Sequence, residues 1–158
     1  MSENSLPSVI MLSPVEQPPD TTVQLPGSKS ITNRALLCAA LAEGTSTLTG
    51  VLFADDTRAM LGAITALGAQ VTVDEAAATV TVRGTDPRAA TGPVSVFANQ
   101  SGTTARFLLP ALALRPARGV LDGDAQLRAR PFGPLVEALR TLGARVEEPP
   151  RRAACRWP

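Results

Sequence analysis

The feature that most constrains the fold of this chain is a repeated five-residue pattern whose copies stand 75 residues apart (142 minus 67). Residues 67–71 read Leu-Gly-Ala-Gln-Val, and residues 142–146 read Leu-Gly-Ala-Arg-Val. A Gly that follows an apolar helical run is typical of a helix C-terminus, and each copy ends such a run. The repeat therefore predicts two copies of one supersecondary unit, which bury their apolar faces against one another.

The first copy of the unit is predicted over residues 21–84, with the element order β-α-β-α-β-β. Alternating apolar positions predict its strands, and an apolar stripe with helical spacing predicts its helices. Its second helix begins at Asp55 and Asp56, whose own carboxylates are expected to cap it. The predicted elements are a strand at 22–25, a helix from Ser30 closed by Gly44, a strand at 45–51, a helix from Asp55 stopped by Gly68, and hairpin strands at 69–74 and 79–83.

The second copy is predicted over residues 92–148 and is incomplete. Its elements are a strand at 94–97, a helix at 103–114, a strand at 118–121 and a helix at 134–142. The hairpin that ends the first copy has no counterpart here, because residues 149–158 contain two adjacent prolines and no alternation. We interpret residues 149–158 as the aberrant tail of a chain that was cut short, or read out of frame near Glu148.

Composition excludes several classes of function. A net charge of +1 and an aromatic content of 3% argue against nucleic acid and against an anionic membrane as partners. The chain has no His, so it holds neither a Ser-His-Asp triad nor a His-ligated metal site. Its two cysteines, Cys38 and Cys155, do not make a disulfide framework, and no apolar run approaches the length of a membrane span. We therefore predict a cytoplasmic protein without a metal site.

Three of the four predicted helix N-termini carry cationic residues. Lys29, the only Lys of the chain, stands in Pro-Gly-Ser-Lys-Ser before the first helix. Gly102 opens the third helix with Arg106 one turn behind it, and Arg130 precedes the fourth helix. Unpaired N–H groups and the helix dipole suit such positions to phosphate or carboxylate groups. The pattern therefore predicts one ligand with two anionic groups, or two anionic ligands together.

Each of these signals also has a simpler structural interpretation. Pro-Gly-Ser-Lys-Ser by itself fits a turn followed by a helix cap, and Gln-Ser-Gly-Thr-Thr at residues 100–104 fits an ordinary helix start. Arg128 and Arg130 by themselves fit solvated surface cations. The occurrence of all three in one repeated α/β frame favours anion binding.

Residues 25–36, Leu-Pro-Gly-Ser-Lys-Ser-Ile-Thr-Asn-Arg-Ala-Leu, resemble the N-terminal signature of the enolpyruvyl-shikimate-phosphate synthases. Residues 101–106 resemble that family's Asn-Ala/Ser-Gly-Thr motif, and residues 126–131 resemble its arginine motif. The resemblance implies an α/β fold of repeated β-α-β-α-β-β units, the inside-out α/β barrel of the enolpyruvyl transferases, of which this chain holds an incomplete first lobe. Residues 1–20 are then a lead-in or hinge that belongs to the other lobe.

The resemblance also implies transfer of the enolpyruvyl group of phosphoenolpyruvate to the 5-hydroxyl of shikimate 3-phosphate, in the shikimate pathway, with no cofactor. The implied site residues are Lys29 for both substrates, Ser30 and Arg34 for shikimate 3-phosphate, Gly102 and Arg130 for phosphoenolpyruvate, and Gln100, Thr103 and Arg106 in support. The catalytic acid and base are expected in the lobe that this chain lacks. A full-length enzyme of this kind is expected to be a monomer.

Two positions depart from the family pattern. Gln100 stands where Asn is usual, and Phe107 stands where Pro often follows the motif Arg. We expect this chain by itself to be inactive, or nearly so. The alternatives are a non-catalytic fragment that binds phosphate esters, a poorly folded product of a disrupted gene, and a UDP-N-acetylglucosamine 1-carboxyvinyltransferase, whose family shares the fold but usually has Asn in place of Ser30.

Overall fold

Ten helices and strands follow one another along residues 9–148, the part of the chain that the computed structural model describes. Residues 1–8 of the predicted lead-in and the predicted aberrant tail at 149–158 lie outside the described residues. The elements are α1 (Lys29–Leu41), β1 (Thr45–Thr49), α2 (Asp55–Ala66), β2 (Gln70–Asp74), β3 (Thr79–Arg83), β4 (Val94–Phe97), α3 (Gly102–Ala113), β5 (Gly119–Asp122), α4 (Ala125–Arg128) and α5 (Gly133–Thr141), with a 3₁₀ turn at Pro87–Ala89. This mixed order confirms the α/β class.

The five strands form two sheets. β3 is the middle strand of the first sheet and pairs antiparallel with β1 on one side and with β2 on the other. Val80 and Val82 of β3 are fully buried, which confirms the alternation predicted for the hairpin. β4 and β5 form a parallel pair, with Val94 opposite Gly119, and α3 supplies the crossover that a parallel pair requires.

One apolar core joins the two halves of the chain. α1 packs against α2, and α3 packs against both of these helices. Fully buried side chains come from both halves: Leu36, Met60, Ile64, Val80, Val82, Leu108 and Val136. Burying one such side chain contributes roughly 1.5–3 kcal/mol, so each half stabilises the other through this shared core.

The ends of α2 and α5 show the sequence repeat as a repeat of hydrogen bonds. After α2, Gly68 has a φ of 107°, and the N–H of Ala69 donates to the Ile64 carbonyl at 3.1 Å. After α5, Gly143 has a φ of 94°, and the N–H of Ala144 donates to the Leu139 carbonyl at 3.0 Å. Both helices therefore end in the same Schellman motif, which needs a residue that tolerates positive φ.

The strand predicted at 22–25 is wrong. These residues have no regular secondary structure, and Val23 and Leu25 are 69% and 82% exposed. A strand needs a neighbouring strand to pair its N–H and C=O groups, and no strand of residues 9–148 pairs with this segment. Every other predicted strand and helix matches an observed element to within two residues at each end.

Two predictions about helix ends are also wrong. The carboxylates of Asp55 and Asp56 do not cap α2; its N-cap is Ala54, and Thr57 Oγ1 accepts a hydrogen bond from the Ala54 N–H at 2.8 Å. The first helix ends at Leu41 with Ala42 as its C-cap, so Gly44 lies one residue beyond the C′ position that was predicted for it.

The short helix α4 was not predicted, because a four-residue helix shows no apolar period. Among the helices at residues 9–148, none is long and apolar enough to cross a membrane.

Candidate functional site

The loop before α1 is held by a close backbone contact and by hydrogen bonds. A Cβ atom at Gly27 would overlap the carbonyl oxygen of Gly50, so only glycine fits at this point. Ser28 Oγ caps α1 by accepting a hydrogen bond from an N–H of its first turn at 3.5 Å. Thr32 Oγ1 accepts a hydrogen bond from the Leu52 N–H at 3.2 Å. These contacts place the first residue of α1 next to the segment that leads into α2.

Lys29, the first residue of α1, forms an ion pair with Asp56 in the first turn of α2. Lys29 Nζ lies 3.0 Å from Asp56 Oδ2, and the two side chains are 50% and 24% exposed. The half-exposed ammonium group is therefore accessible to an anion that arrives from solvent. This role of Asp56 was not predicted, and its only signal in the sequence is that one helix start is acidic while three are cationic.

Arg34 connects α1 to α3. Its guanidinium donates to the Ser30 carbonyl at 3.3 Å and lies over the ring of Phe107, 5.5 Å from the ring centre. A cation–π contact of this kind orients the guanidinium, at a gain of about 0.5–1 kcal/mol on an exposed surface. Phe107, where the sequence departs from the family pattern, is thus in contact with a predicted binding residue.

The first turns of α2 and α3 are linked by buried hydroxyl groups. Ser101 caps α3, because its Oγ accepts a hydrogen bond from the Thr104 N–H at 3.2 Å. The same Oγ donates to Thr104 Oγ1 at 2.7 Å, and Thr104 Oγ1 donates to the Asp56 carbonyl at 3.1 Å. Ser101 and Thr104 are almost completely buried, so these bonds are shielded from water and fix the two helix starts side by side.

Two guanidinium groups converge on Gly102, the first residue of α3. A Cβ atom at this position would overlap Nη1 of Arg130 and would lie 2.8 Å from Nη1 of Arg106. Arg106 donates to the Gly102 carbonyl at 3.3 Å and to the Pro131 carbonyl at 3.2 Å. The start of α3 therefore presents its backbone N–H groups close to two cations, an arrangement suited to a carboxylate or a phosphate.

The segment that carries Arg130 is held by acidic residues. Asp124 caps α4 by accepting hydrogen bonds from two N–H groups of its first turn, both at 3.1 Å. Asp122, at the end of β5, accepts two hydrogen bonds from the Arg128 guanidinium at 2.9 and 2.8 Å. These bonds, with a further one from the Gly123 N–H, hold the pKa of Asp122 below its ordinary value of 3.8. Arg128 is therefore part of the scaffold beneath Arg130.

We expect an Asp122→Asn variant to unfold about 2–4 °C lower than the native chain near neutral pH, because the partly exposed ion pair with Arg128 that it loses contributes about 1 kcal/mol. The folded carboxyl has the lower pKa, so it stabilises the fold above its unfolded pKa, and this contribution disappears as the pH falls through the folded value. Thermal unfolding followed by circular dichroism from about pH 7 to pH 3 measures this difference. The exposed Asp20→Asn variant is the control, and a gap that stays constant at every pH would contradict the assignment.

The remaining predicted site residues flank the start of α3. Gln100 is exposed in the turn before Ser101, and its neighbour Asn99 has a φ of 50°, which Asn tolerates better than most residues. Thr103 is the second residue of α3 and is half-buried.

Asn33, one turn after Lys29, was not predicted as a site residue. It is fully buried, and neither polar atom of its side chain has a hydrogen-bond partner within residues 9–148. An orphaned buried amide next to an anion site marks a place where a further polar group is needed.

The site as a whole is a row of three adjacent helix starts. The structure brings Lys29 of α1 to Asp56 of α2, Asp56 to Thr104 of α3, and Gly102 of α3 to Arg130. Within the described residues, no group of three or more His, Cys, Asp or Glu side chains is arranged to hold a metal ion. The geometry is suited to binding anionic groups at the starts of α1 and α3.

Comparison with known proteins identifies relatives of this chain. The family profile described as EPSP synthase (3-phosphoshikimate 1-carboxyvinyltransferase) matches residues 16–151. The 3-phosphoshikimate 1-carboxyvinyltransferase of Rhizobium leguminosarum bv. trifolii (strain WSM2304) is 52% identical over 121 residues, which are 77% of this chain and 28% of that protein. The protein of the same name from Opitutus terrae is 45% identical over 144 residues, which are 89% of this chain and 33% of that protein.

A solved structure shows the same fold. EPSP synthase from Acinetobacter baumannii superposes with a TM-score of 0.71 at 29% identity, over 82% of this chain and 30% of that chain. The chain thus spans about three tenths of the length of the relatives that it matches.

Proposed function

Since the chain belongs to the EPSP synthase family, we propose that it supplies the anion-binding part of a site for enolpyruvyl transfer from phosphoenolpyruvate to shikimate 3-phosphate. The proposed reaction forms an ether at the 5-hydroxyl of shikimate 3-phosphate and releases phosphate. Both substrates are anionic, and together they bring two phosphate groups and two carboxylates. The cations at the starts of α1 and α3 match this charge.

The observation that carries the proposal is the link between these two helix starts. Asp56 contacts Lys29 through its side chain and Thr104 through its carbonyl group, at 3.0 and 3.1 Å. Two anions bound at neighbouring helix starts are held at a fixed separation, which is the condition for a reaction between them. Two unrelated anion sites would not require such a connection.

We assign each residue a role according to the helix start at which it lies. The roles are Lys29 between the two substrates, Ser30 and Arg34 for shikimate 3-phosphate, Gly102 and Arg130 for phosphoenolpyruvate, and Gln100, Thr103 and Arg106 in support. Arg106 already donates to the Gly102 carbonyl, so we infer that it orients the start of α3 and adds positive charge there. We assign no catalytic acid or base within this chain. The proposed role of the chain is to bind and orient the two substrates.

Titration of the purified chain with each substrate tests the proposal. We expect millimolar shikimate 3-phosphate and phosphoenolpyruvate to shift the backbone amide resonances at the starts of α1 and α3. We also expect no phosphate release above background when both substrates are present, because binding groups alone orient the substrates without transferring protons. Absence of any shift at these amides would overturn the binding role, and steady phosphate release would show that the chain is catalytically complete.

Asp56 is expected to compete with a bound anion for Lys29. An Asp56→Asn variant should therefore bind inorganic phosphate more tightly, by up to about fivefold, which matches the small free energy of a half-exposed ion pair. Asp55→Asn, in the same turn of α2, removes the same charge without touching this ion pair and is the matched control. Equal gains in the two variants, measured by the same amide titration, would attribute the effect to net charge alone.

We further propose that the protein acts in the cytoplasm, and that the full-length enzyme is a monomer. The exposed free thiol of Cys38 supports a reducing compartment. Mass determination in solution, together with thiol labelling of protein drawn directly from cells, tests both statements.

A further inference from the structure

Two aromatic rings lie against guanidinium groups of the anion site. The Arg34 guanidinium lies 5.5 Å from the centre of the Phe107 ring, and the Arg106 guanidinium lies 4.9 Å from the centre of the Phe132 ring. Both distances fall within the range of about 6 Å over which the face of a ring attracts a cation. The chain has only four Phe residues, so half of them are placed against cations of this site.

Within residues 9–148, neither of these two guanidinium groups is paired with a carboxylate. Arg34 donates to the Ser30 carbonyl at 3.3 Å. Arg106 donates to the Gly102 and Pro131 carbonyls at 3.3 and 3.2 Å. Each group therefore keeps its positive charge, and further N–H donors, for an anion that arrives from solvent.

A third guanidinium group, that of Arg58 in α2, shows the contrast. It lies 5.7 Å from the centre of the Phe53 ring, but it also donates to both carboxylate oxygens of Glu75, at 2.6 and 2.9 Å. A carboxylate orients a guanidinium group and at the same time competes with any other anion for it. A ring orients the group through its face and leaves the N–H groups available. Support by a ring alone is thus suited to a cation that has to bind a ligand.

The two rings at the site are held in place by the fold. Phe107 lies in α3, and Phe132 is the N-cap residue of α5. Both side chains are half-buried and pack against the apolar core. An Arg side chain has many rotamers and loses this freedom when it binds a ligand. A fixed ring that orders the side chain beforehand reduces this entropic cost of binding.

We propose that Phe107 and Phe132 are positioning residues that set the two substrate affinities of the site separately. This inference rests on the proposed function, in which Arg34 holds shikimate 3-phosphate and Arg106 supports the binding of phosphoenolpyruvate. Phe107 orders Arg34 and thereby raises the affinity for shikimate 3-phosphate. Phe132 orders Arg106 and thereby raises the affinity for phosphoenolpyruvate. Each ring acts through the guanidinium group that lies over it.

Leucine variants of the two Phe residues test the proposal in amide titrations. Phe107→Leu keeps an apolar side chain but removes the ring, so it should weaken shikimate 3-phosphate binding about two- to fivefold and leave phosphoenolpyruvate binding unchanged. Phe132→Leu should show the opposite pattern. Phe107→Tyr and Phe132→Tyr keep the face of the ring and should restore the native affinities. Phe53→Leu is the control, because it removes the ring beside the carboxylate-paired Arg58 and should change neither affinity.

Nuclear spin relaxation of the arginine Nε groups measures the ordering directly and needs no substrate. The order parameter of Arg34 Nε should fall in Phe107→Leu and return in Phe107→Tyr, while that of Arg106 Nε stays unchanged. Phe132→Leu and Phe132→Tyr should act on Arg106 in the same way. A ring that only fills space in the core would leave these order parameters unchanged when leucine replaces it.

The outcomes separate this proposal from the proposed function. If the native chain binds both substrates while each leucine variant lowers both affinities equally, or lowers neither, the rings do not set the affinities separately and the proposal is wrong. Unchanged order parameters at Arg34 and Arg106 would overturn it as well. If the native chain itself binds neither substrate, the proposed function fails, and the roles assigned to the two rings fail with it.

Discussion

A Lys29→Gln variant should lose affinity for both shikimate 3-phosphate and phosphoenolpyruvate, by at least about tenfold for each, because charge-assisted hydrogen bonds contribute roughly 1.5–3 kcal/mol. The proposed site places the Lys29 ammonium between the two substrates, and no other cation of the site serves both. The fold should change little, because the ion pair of Lys29 with Asp56 is half-exposed. Amide titrations with each substrate separately measure the two losses.

Lys29→Arg sharpens this prediction. The planar guanidinium keeps the charge but is wider than an ammonium group, so we expect it to restore less than half of the lost binding free energy. Arg83→Gln, an exposed change at the end of β3, is the control for the loss of one positive charge. If Arg83→Gln weakens binding as much as Lys29→Gln does, long-range charge rather than contact explains the effect.

A Gly102→Ala variant should lose phosphoenolpyruvate binding by at least about tenfold while keeping shikimate 3-phosphate binding. The added methyl group occupies the space that the Arg130 and Arg106 guanidinium groups now share, so both must swing away from the start of α3. The backbone itself tolerates the change, because alanine favours a helix more than glycine does. The melting temperature should therefore stay equal or rise, as differential scanning calorimetry can measure.

Gly62→Ala is the matched control for this substitution. A Cβ atom at Gly62, in the middle of α2, meets no atom within 4 Å. This change should stabilise the chain by about 0.5–1 kcal/mol and leave both affinities unchanged. The two site variants should therefore differ in the affinities that they lower. Lys29→Gln should lower the affinity for both substrates, whereas Gly102→Ala should lower only the affinity for phosphoenolpyruvate. A loss of both substrates in Gly102→Ala would mean that the assignment of Gly102 is wrong.

Local regularities of the sequence predicted most of the fold. The valine alternation predicted the β2–β3 hairpin, and the Leu-Gly-Ala pattern predicted the ends of α2 and α5 at Gly68 and Gly143. Such signals depend on residues that are close in sequence, and their physics acts within one turn or one hairpin. The strand predicted at 22–25 failed for the complementary reason, because a strand also depends on a partner that its own residues do not specify.

The cationic helix starts were also local features, whereas their contacts were not. The sequence by itself determined that Lys29 stands at a capped helix start and that Gly102 opens another, because caps and glycines act over three or four residues. Only the tertiary structure decided that Asp56 pairs with Lys29 and that Thr104 reaches the Asp56 carbonyl, across 48 residues of sequence. Those contacts arise because α1, α2 and α3 bury their apolar faces together, and that packing sets which polar ends become neighbours.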